Sequence, residues 1–328
     1  MDMSTGEQRL DPAAAGAVAT PTRSNERIKG ILFLSAGALI FTIQDVIIKW
    51  ISGDYPVTQI LATRSLVAFA PLFILLYFDG GLRSVSGRRL GRLLIRAGLL
   101  FLSYTAYYLA IAAIPLAEAG ALFYTAPLFI VALAGPVLHE RVGLNHWTAV
   151  VVGFIGAMIM IMCRIGADVI DAAALFSLAA AALYALAQVM ARDLGTTHRA
   201  SVMALYQNSV NLAAALVIGL VAGDGAFADV SHPSLAFFLR SWSMPDLVDL
   251  LLMGSTGLVA AVAIWCLTHA YRIAEANVIA PFEYSSVVWL VLAGYFIWGE
   301  VPKLLTVAGG LLIIAAGIYV LRASRTST

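Results

Sequence analysis

Apolar residues gather along this chain into ten long runs, at about 30–51, 57–78, 93–113, 116–138, 147–163, 172–191, 201–223, 247–270, 274–298 and 303–321. A helix needs roughly 20 apolar residues to cross the hydrocarbon core of a bilayer, so each run predicts a membrane span. The fold class is therefore all-α, a membrane protein of ten transmembrane helices. The runs fall into two sets of five, and the second set repeats the first. At one fixed offset Phe41, Asp45, Lys49 and Arg64 lie over Tyr184, Gln188, Arg192 and Gln207, with polar on polar for the last three. Further along, Ala117-Glu118-Ala119 matches Ala274-Glu275-Ala276, and Glu140 matches Glu300. Five is odd, so the second copy must enter from the opposite side of the membrane. Such inverted-topology repeats are a recurrent build of carriers with a site near the midplane. The expected organisation is a disordered cytoplasmic tail at 1–27, a first five-helix repeat at 28–163, a second at 164–322 and a short tail at 323–328.

Composition agrees, with 61% hydrophobic and 12% charged residues against roughly 25% charged in a soluble domain. A net charge of +1 gives no reason to expect a nucleic-acid partner. Arg and Lys concentrate in the N-terminal tail, in Arg83 to Arg92, and at Arg141, Arg192, Arg199, Arg272, Arg322 and Arg325. By the positive-inside rule this puts both termini in the cytoplasm of a bacterial-type inner membrane. Segment 1–27 has no long apolar core and does not read as a signal peptide. Cys163 and Cys266 lack metal-type spacing and read as small packing residues. The loop at 224–246 carries Leu235-Ala236-Phe237-Phe238-Leu239 near Trp242, expected to lie along the membrane interface.

Any chemistry must come from polar groups inside the spans, where each charge costs about 2.5–3.5 kcal/mol on insertion scales. Asp45 and Lys49 are one helical turn apart and can pair. The turn at 52–56 also brings Arg64 back to the depth of Asp45. Either arrangement can be a structural ion pair, or can leave Arg64 to bind substrate. The second copy answers with Gln188 and Gln207, so one wall of a central cavity is ionic and the other amide. Tyr104, Tyr107, Tyr108, Tyr124, Trp265, Tyr284 and Trp289 supply rings with polar tips, suited to planar or amphipathic solutes. Of these, Tyr107, Trp265 and Tyr284 are retained as binding candidates. Pro127 and Pro281 each follow an acidic residue, Glu118 and Glu275, and interrupt their spans as candidate hinges. Glu283, near the midplane, is a candidate proton carrier.

Enzyme machinery is not evident in the sequence. His139-Glu140 lacks the second histidine of a zinc helix, and neither a Gly-x-Ser-x-Gly elbow nor a Walker A loop occurs. No cofactor or metal is expected. A scaffold or assembly subunit is the remaining class, but it would not need Asp45, Lys49, Arg64 and Glu283 in its spans.

The stretch from Leu116 through Glu118, Tyr124 and Pro127 to Leu128, leading to His139-Glu140-Arg141, resembles the EamA-type drug/metabolite transporter superfamily. Ala280-Pro281-Phe282-Glu283-Tyr284 leading to Gly299-Glu300 resembles its second-half counterpart. The resemblance spans about 30–322. It implies a carrier, coupled to protons or another gradient or exchanging solutes, with a central cavity between the halves. Asp45 to Trp50, with Tyr55-Pro56-Val57 and Arg64-Ser65, is similar to a proteobacterial branch that includes riboflavin and S-adenosylmethionine carriers. What this implies is transport of a small, polar, ring-containing metabolite, with riboflavin uptake first. Efflux of amino acids or amphipathic compounds, and S-adenosylmethionine transport, are the alternatives. Oligomeric state is not readable, although Gly153 and Ala157 permit close helix contact.

Overall fold

A computed structural model describes residues 21–78, 85, 89–138, 144–162, 172–194, 198–273 and 285–323. Among these residues the chain is helical with no strand. Helices α1 (Pro21–Ile51), α2 (Val57–Phe78) and α3 (Leu90–Ile111) are followed by α4 (Leu116–Phe123), α5 (Ala126–Leu138) and α6 (Leu144–Met162). The second half holds α7 (Ala172–Leu194), α8 (Ala200–Ala222), the short α9 (Pro233–Leu239), α10 (Leu247–Ile273), α11 (Ser285–Trp298) and α12 (Leu304–Ala323). Among the described residues six helices, α1 to α3, α7, α8 and α10, are long and apolar enough to cross a membrane, and shorter apolar helices lie at 116–130, 150–159, 285–298 and 304–319. Large apolar side chains such as Phe73, Tyr77, Leu220, Leu251 and Phe296 are exposed around the bundle. Only a hydrocarbon solvent makes that arrangement stable. The first turns of α1 fall inside the stretch assigned from sequence to the tail; Pro21, with its fixed φ and missing N–H, suits a first helical position.

The span expected at 116–138 is two helices. At Tyr124 and Thr125 the α-helical bonding gives way to a tighter turn, in which Thr125 N–H donates to Leu122 O at 3.1 Å and its hydroxyl donates to the same carbonyl at 2.7 Å. Pro127, which has no N–H to give, sits in the first turn of α5 directly after this break. The proline thus accompanies a real discontinuity, and the threonine satisfies the carbonyl that the break would otherwise strand in an apolar interior.

The helices pair α1 with α10, α3 with α7, α6 with α12 and α2 with α8, while α10 also meets α2 and α8 meets α3. Small residues let these backbones approach closely. Ala97, Ala173, Ala180 and Ala181 are buried in α3 and α7, where the Ser103 hydroxyl donates to Ala180 O at 2.8 Å. At Gly257 a Cβ would stand 2.5 Å from the Arg64 carbonyl, so α10 can lie against α2 only with glycine there.

Helix α9 packs one face against the bundle. Phe237 is 1% exposed, and the buried Ser234 hydroxyl donates to Leu109 O at 2.7 Å, so α9 plugs one end of the bundle against α3 and α2. The amphipathic pattern is the same for a helix on a membrane surface and for one on a protein surface. Which surface was waiting depended on the C-terminal end of α3.

Candidate functional site

A cavity of about 210 Å³ lies inside the bundle, between α1, α2, α3, α4, α5, α7, α10 and α11. It is somewhat below the roughly 300 Å³ at which ligand pockets usually begin. Its polar groups cluster at one end: Gln44 and Asp45 from α1, Arg64 from α2, and Tyr104, Tyr107 and Tyr108 from α3. Phe123, Tyr124 and Tyr184 add rings, with centroids 5.1 Å from Tyr107 to Phe123 and 5.4 Å from Phe123 to Tyr184. From Asp45 the lining runs back along α1 through Phe41 and Ala38 to Leu34. That is roughly 16 Å at 1.5 Å per residue, toward the N-terminal end of α1.

Helix α3 organises the polar end. Tyr104 and Tyr108 are one turn apart and stack in near-parallel planes, and Tyr107 beside them points to a different partner. The Tyr107 hydroxyl donates to Asp45 Oδ2 at 3.1 Å. The Tyr108 oxygen accepts from Arg64 Nη1 at 2.6 Å and from Gln44 Nε2 at 2.9 Å. The Arg64 guanidinium also lies 5.8 Å from the Tyr104 ring centroid, within cation–π range. The expected contact of Asp45 with Arg64 is thus replaced by two tyrosines, each holding one of the charges.

Lys49, expected beside Asp45 or substrate, is drawn to the second half of the chain. Its Nζ donates to Glu300 Oε1 at 2.5 Å and to Ile114 O at 3.1 Å, and it lies 5.0 Å from the Trp298 ring centroid. Glu300 is placed there by its helix end. Gly299 takes φ +66°, the left-handed conformation that ends many helices, and Glu300 N–H donates back to Gly294 O at 3.0 Å. The other carboxylate oxygen accepts from Leu116 N–H at 3.0 Å, capping α4 where a negative charge is favoured. Further bonds at this end cross between the halves. Tyr55 donates to Asp249 at 2.7 Å, Gln59 to Ser243 O at 2.6 Å, Trp242 to Thr58 at 2.9 Å and Arg240 to Ser52 O at 3.0 Å. The bond to Asp249 stabilises the neutral phenol, so Tyr55 titrates above the usual tyrosine range.

Of the residues singled out from sequence, the structure brings Asp45, Arg64, Tyr107 and Pro127 to the cavity. Glu118 is buried in α4 and accepts from Thr306 at 3.2 Å, tying α4 to α12. Gln188 and Gln207 lie half-buried on α7 and α8, outside the cavity lining. Trp265 is on α10, but its side chain lies outside the described residues, as do Pro281, Glu283, Tyr284 and Glu140. Sequence reasoning passed over Gln44 and set aside Tyr104 and Tyr108. The usable signal was the spacing of Tyr104 and Tyr108, one turn apart in a span that also carries Tyr107, and the amide next to Asp45.

Three relatives bear on this site. A riboflavin transporter of Vibrio cholerae serotype O1 is 28% identical, the match covering 90% of this chain and 91% of that protein. A pseudopaline exporter of Pseudomonas aeruginosa is also 28% identical over 90% of this chain and 97% of that one. An S-adenosylmethionine uptake transporter of Rickettsia prowazekii is 25% identical over 71% and 72%. One crystal structure of a protein superposes at TM-score 0.57 with 17% identity, covering 92% of this chain and 98% of that chain, which shows a shared fold. Residues 28–162 match the model of the EamA-like transporter family. With its apolar helices, its apolar outward-facing surface and relatives named as transporters, this chain is a multi-pass helical membrane protein whose residues 28–162 match the EamA-like transporter family.

Proposed function

We propose that this protein is a secondary carrier of the bacterial inner membrane that moves a small, polar, ring-containing metabolite by alternating access, with riboflavin uptake as the specific assignment. Its ten spans form two inverted five-helix repeats, 28–163 and 164–322, and both termini are cytoplasmic. The helix pairing supports this architecture. Exchanging each half for the other turns the α1–α10 pair into α7–α3 and α2–α10 into α8–α3, while α2–α8 and α6–α12 map onto themselves. Phe41 and Tyr184, equivalent in the repeat, both line the cavity.

The observation that carries the reading is a cavity walled by rings, with bonds between the halves across one end of the bundle. Asp45, Arg64 and Tyr107 are the proposed substrate-binding groups of the cavity, with Tyr284 and Trp265 as further candidates. The end bearing Lys49 and Glu300 is external in this topology, so the geometry suits a state closed outward, with the cavity reaching toward the cytoplasmic end. A solute larger than about 210 Å³ would need the end beside Leu34 to open. Pro127 and the break before it supply a hinge, and Glu283 is the proposed proton carrier. The riboflavin transporter of Vibrio cholerae supports the cargo. The Pseudomonas aeruginosa exporter, equally identical, supports efflux as a second reading, since alternating access runs whichever way its gradients favour.

Uptake of labelled riboflavin into liposomes containing the purified protein, with and without an inward proton gradient, tests the assignment. Saturable uptake that Arg64→Ala abolishes is expected. Uptake no greater than in empty liposomes would reject riboflavin as the cargo.

A further inference from the structure

The polar end of the cavity holds opposite charges that do not pair. Among the described residues Asp45 and Arg64 form no ion pair; Tyr107 holds the first and Tyr108 the second. The Tyr108 oxygen receives two donors, one from Arg64 and one from Gln44, which fills its acceptor capacity and leaves its proton to donate. Gln44 is 3% exposed and lines the cavity, yet its Oε1 has no partner among the described residues. In this arrangement Nε2 serves Tyr108 and Oε1 is the amide atom left without a partner. Arg64 keeps N–H groups beyond the one given to Tyr108, and its guanidinium carbon lies over the Tyr104 ring. One shared phenol oxygen therefore fixes a strong donor and an unsatisfied acceptor side by side, against stacked rings.

We infer that Tyr108 and Gln44 determine specificity at this site, and that the ligand is a flat, uncharged molecule presenting an amide-type edge, an N–H beside a C=O. The edge donates to Gln44 Oε1 and accepts from Arg64, while the flat body lies among the rings. A ligand of either net charge would meet a like charge at Asp45 or Arg64 in the same small space. The buried acceptor rejects a ligand without the N–H, because a site built to hydrogen-bond leaves its own groups unpaired when the partner is missing. Tyr108 acts through Arg64 and Gln44 as a positioning residue. This deepens the carrier reading above and rests on it.

Equilibrium binding to purified protein in detergent tests the inference. The probes are riboflavin, riboflavin methylated at the ring N3, uridine and S-adenosylmethionine, measured on the wild type, Gln44→Ala and Tyr108→Phe. N3-methylation removes the N–H between two carbonyls and should weaken wild-type binding by about tenfold or more, while changing binding to Gln44→Ala far less. Tyr108→Phe keeps the ring, frees Arg64 toward Asp45, and should likewise flatten the methylation ratio. That ratio is indifferent to any general loss of stability. If uridine binds with the same Gln44 dependence and riboflavin does not, the vitamin assignment falls and the amide-edge inference stands. A methylation ratio unchanged in both variants, binding of charged S-adenosylmethionine alone, or binding of none of the probes would overturn the inference.

Discussion

Neutralising Glu300 should unlock one end of the bundle. In the closed arrangement its carboxylate joins Lys49 at 2.5 Å and caps Leu116 N–H at 3.0 Å, with the two charged side chains only 11% and 19% exposed. Bonds involving charged groups contribute roughly 1.5–3 kcal/mol each, and part of the ion-pair attraction is offset by desolvation. Glu300→Gln keeps the shape and a weaker cap but loses the charge, so about 1.5–3 kcal/mol of closed-state stabilisation is a fair expectation. At 1.4 kcal/mol per decade, the ratio of closed to open shifts by about 10- to 150-fold. Spin labels at Asp54 and Val301, both exposed at this end, would report the distance between the halves. A longer-distance population should appear in Glu300→Gln and in Lys49→Met. The charge swap Lys49→Glu with Glu300→Lys should restore closure only in part, because the Ile114 carbonyl and the Leu116 N–H favour the original polarity. A distance distribution unchanged in folded Glu300→Gln protein would refute the locking role and leave the pair as a simple brace.

Arg64→Ala should abolish transport, whereas Asp45→Asn should weaken it less, since Tyr107 can still donate to the amide oxygen; equal loss of folded protein in both would point to a structural role instead. Gly257→Ala places a Cβ about 2.5 Å from the Arg64 carbonyl, and overpacking of this kind costs about 1–3 kcal/mol. It should raise the KM for uptake and lower the Tm, although Gly257 does not line the cavity. Glu283→Gln should uncouple uptake from a pH gradient, and an unchanged pH dependence would remove Glu283 from proton transfer. The repeat lays Arg192 over Lys49 and Glu140 over Glu300, so from that register alone Glu140→Gln is expected to move the spin-label distances opposite to Glu300→Gln.

The sequence by itself determined the solvent and carried the register on which the proposed repeat rests. Apolar runs of span length leave a chain no stable home but a bilayer, and the register of Asp45, Lys49 and Arg64 against Gln188, Arg192 and Gln207 is readable because insertion penalises every unneeded polar residue. Asp45, Arg64 and Tyr107 were legible as candidates for the same reason, and they line one cavity. Tertiary structure decided the partners. Lys49 had an acid one turn away in Asp45, yet Glu300 takes it, because the glycine-terminated end of α11 delivers a carboxylate to a place where Leu116 N–H also needs an acceptor. Tyr108 looked like packing until α1 and α2 brought Gln44 and Arg64 to its hydroxyl. The amphipathic pattern of α9 did not say which protein surface it meets, and the end of α3 gives Ser234 and Phe237 an interior. Helical periodicity specifies which face of a helix is buried, but a hydrogen bond forms only where another segment places its partner within about 3 Å, and that placement belongs to the assembled bundle.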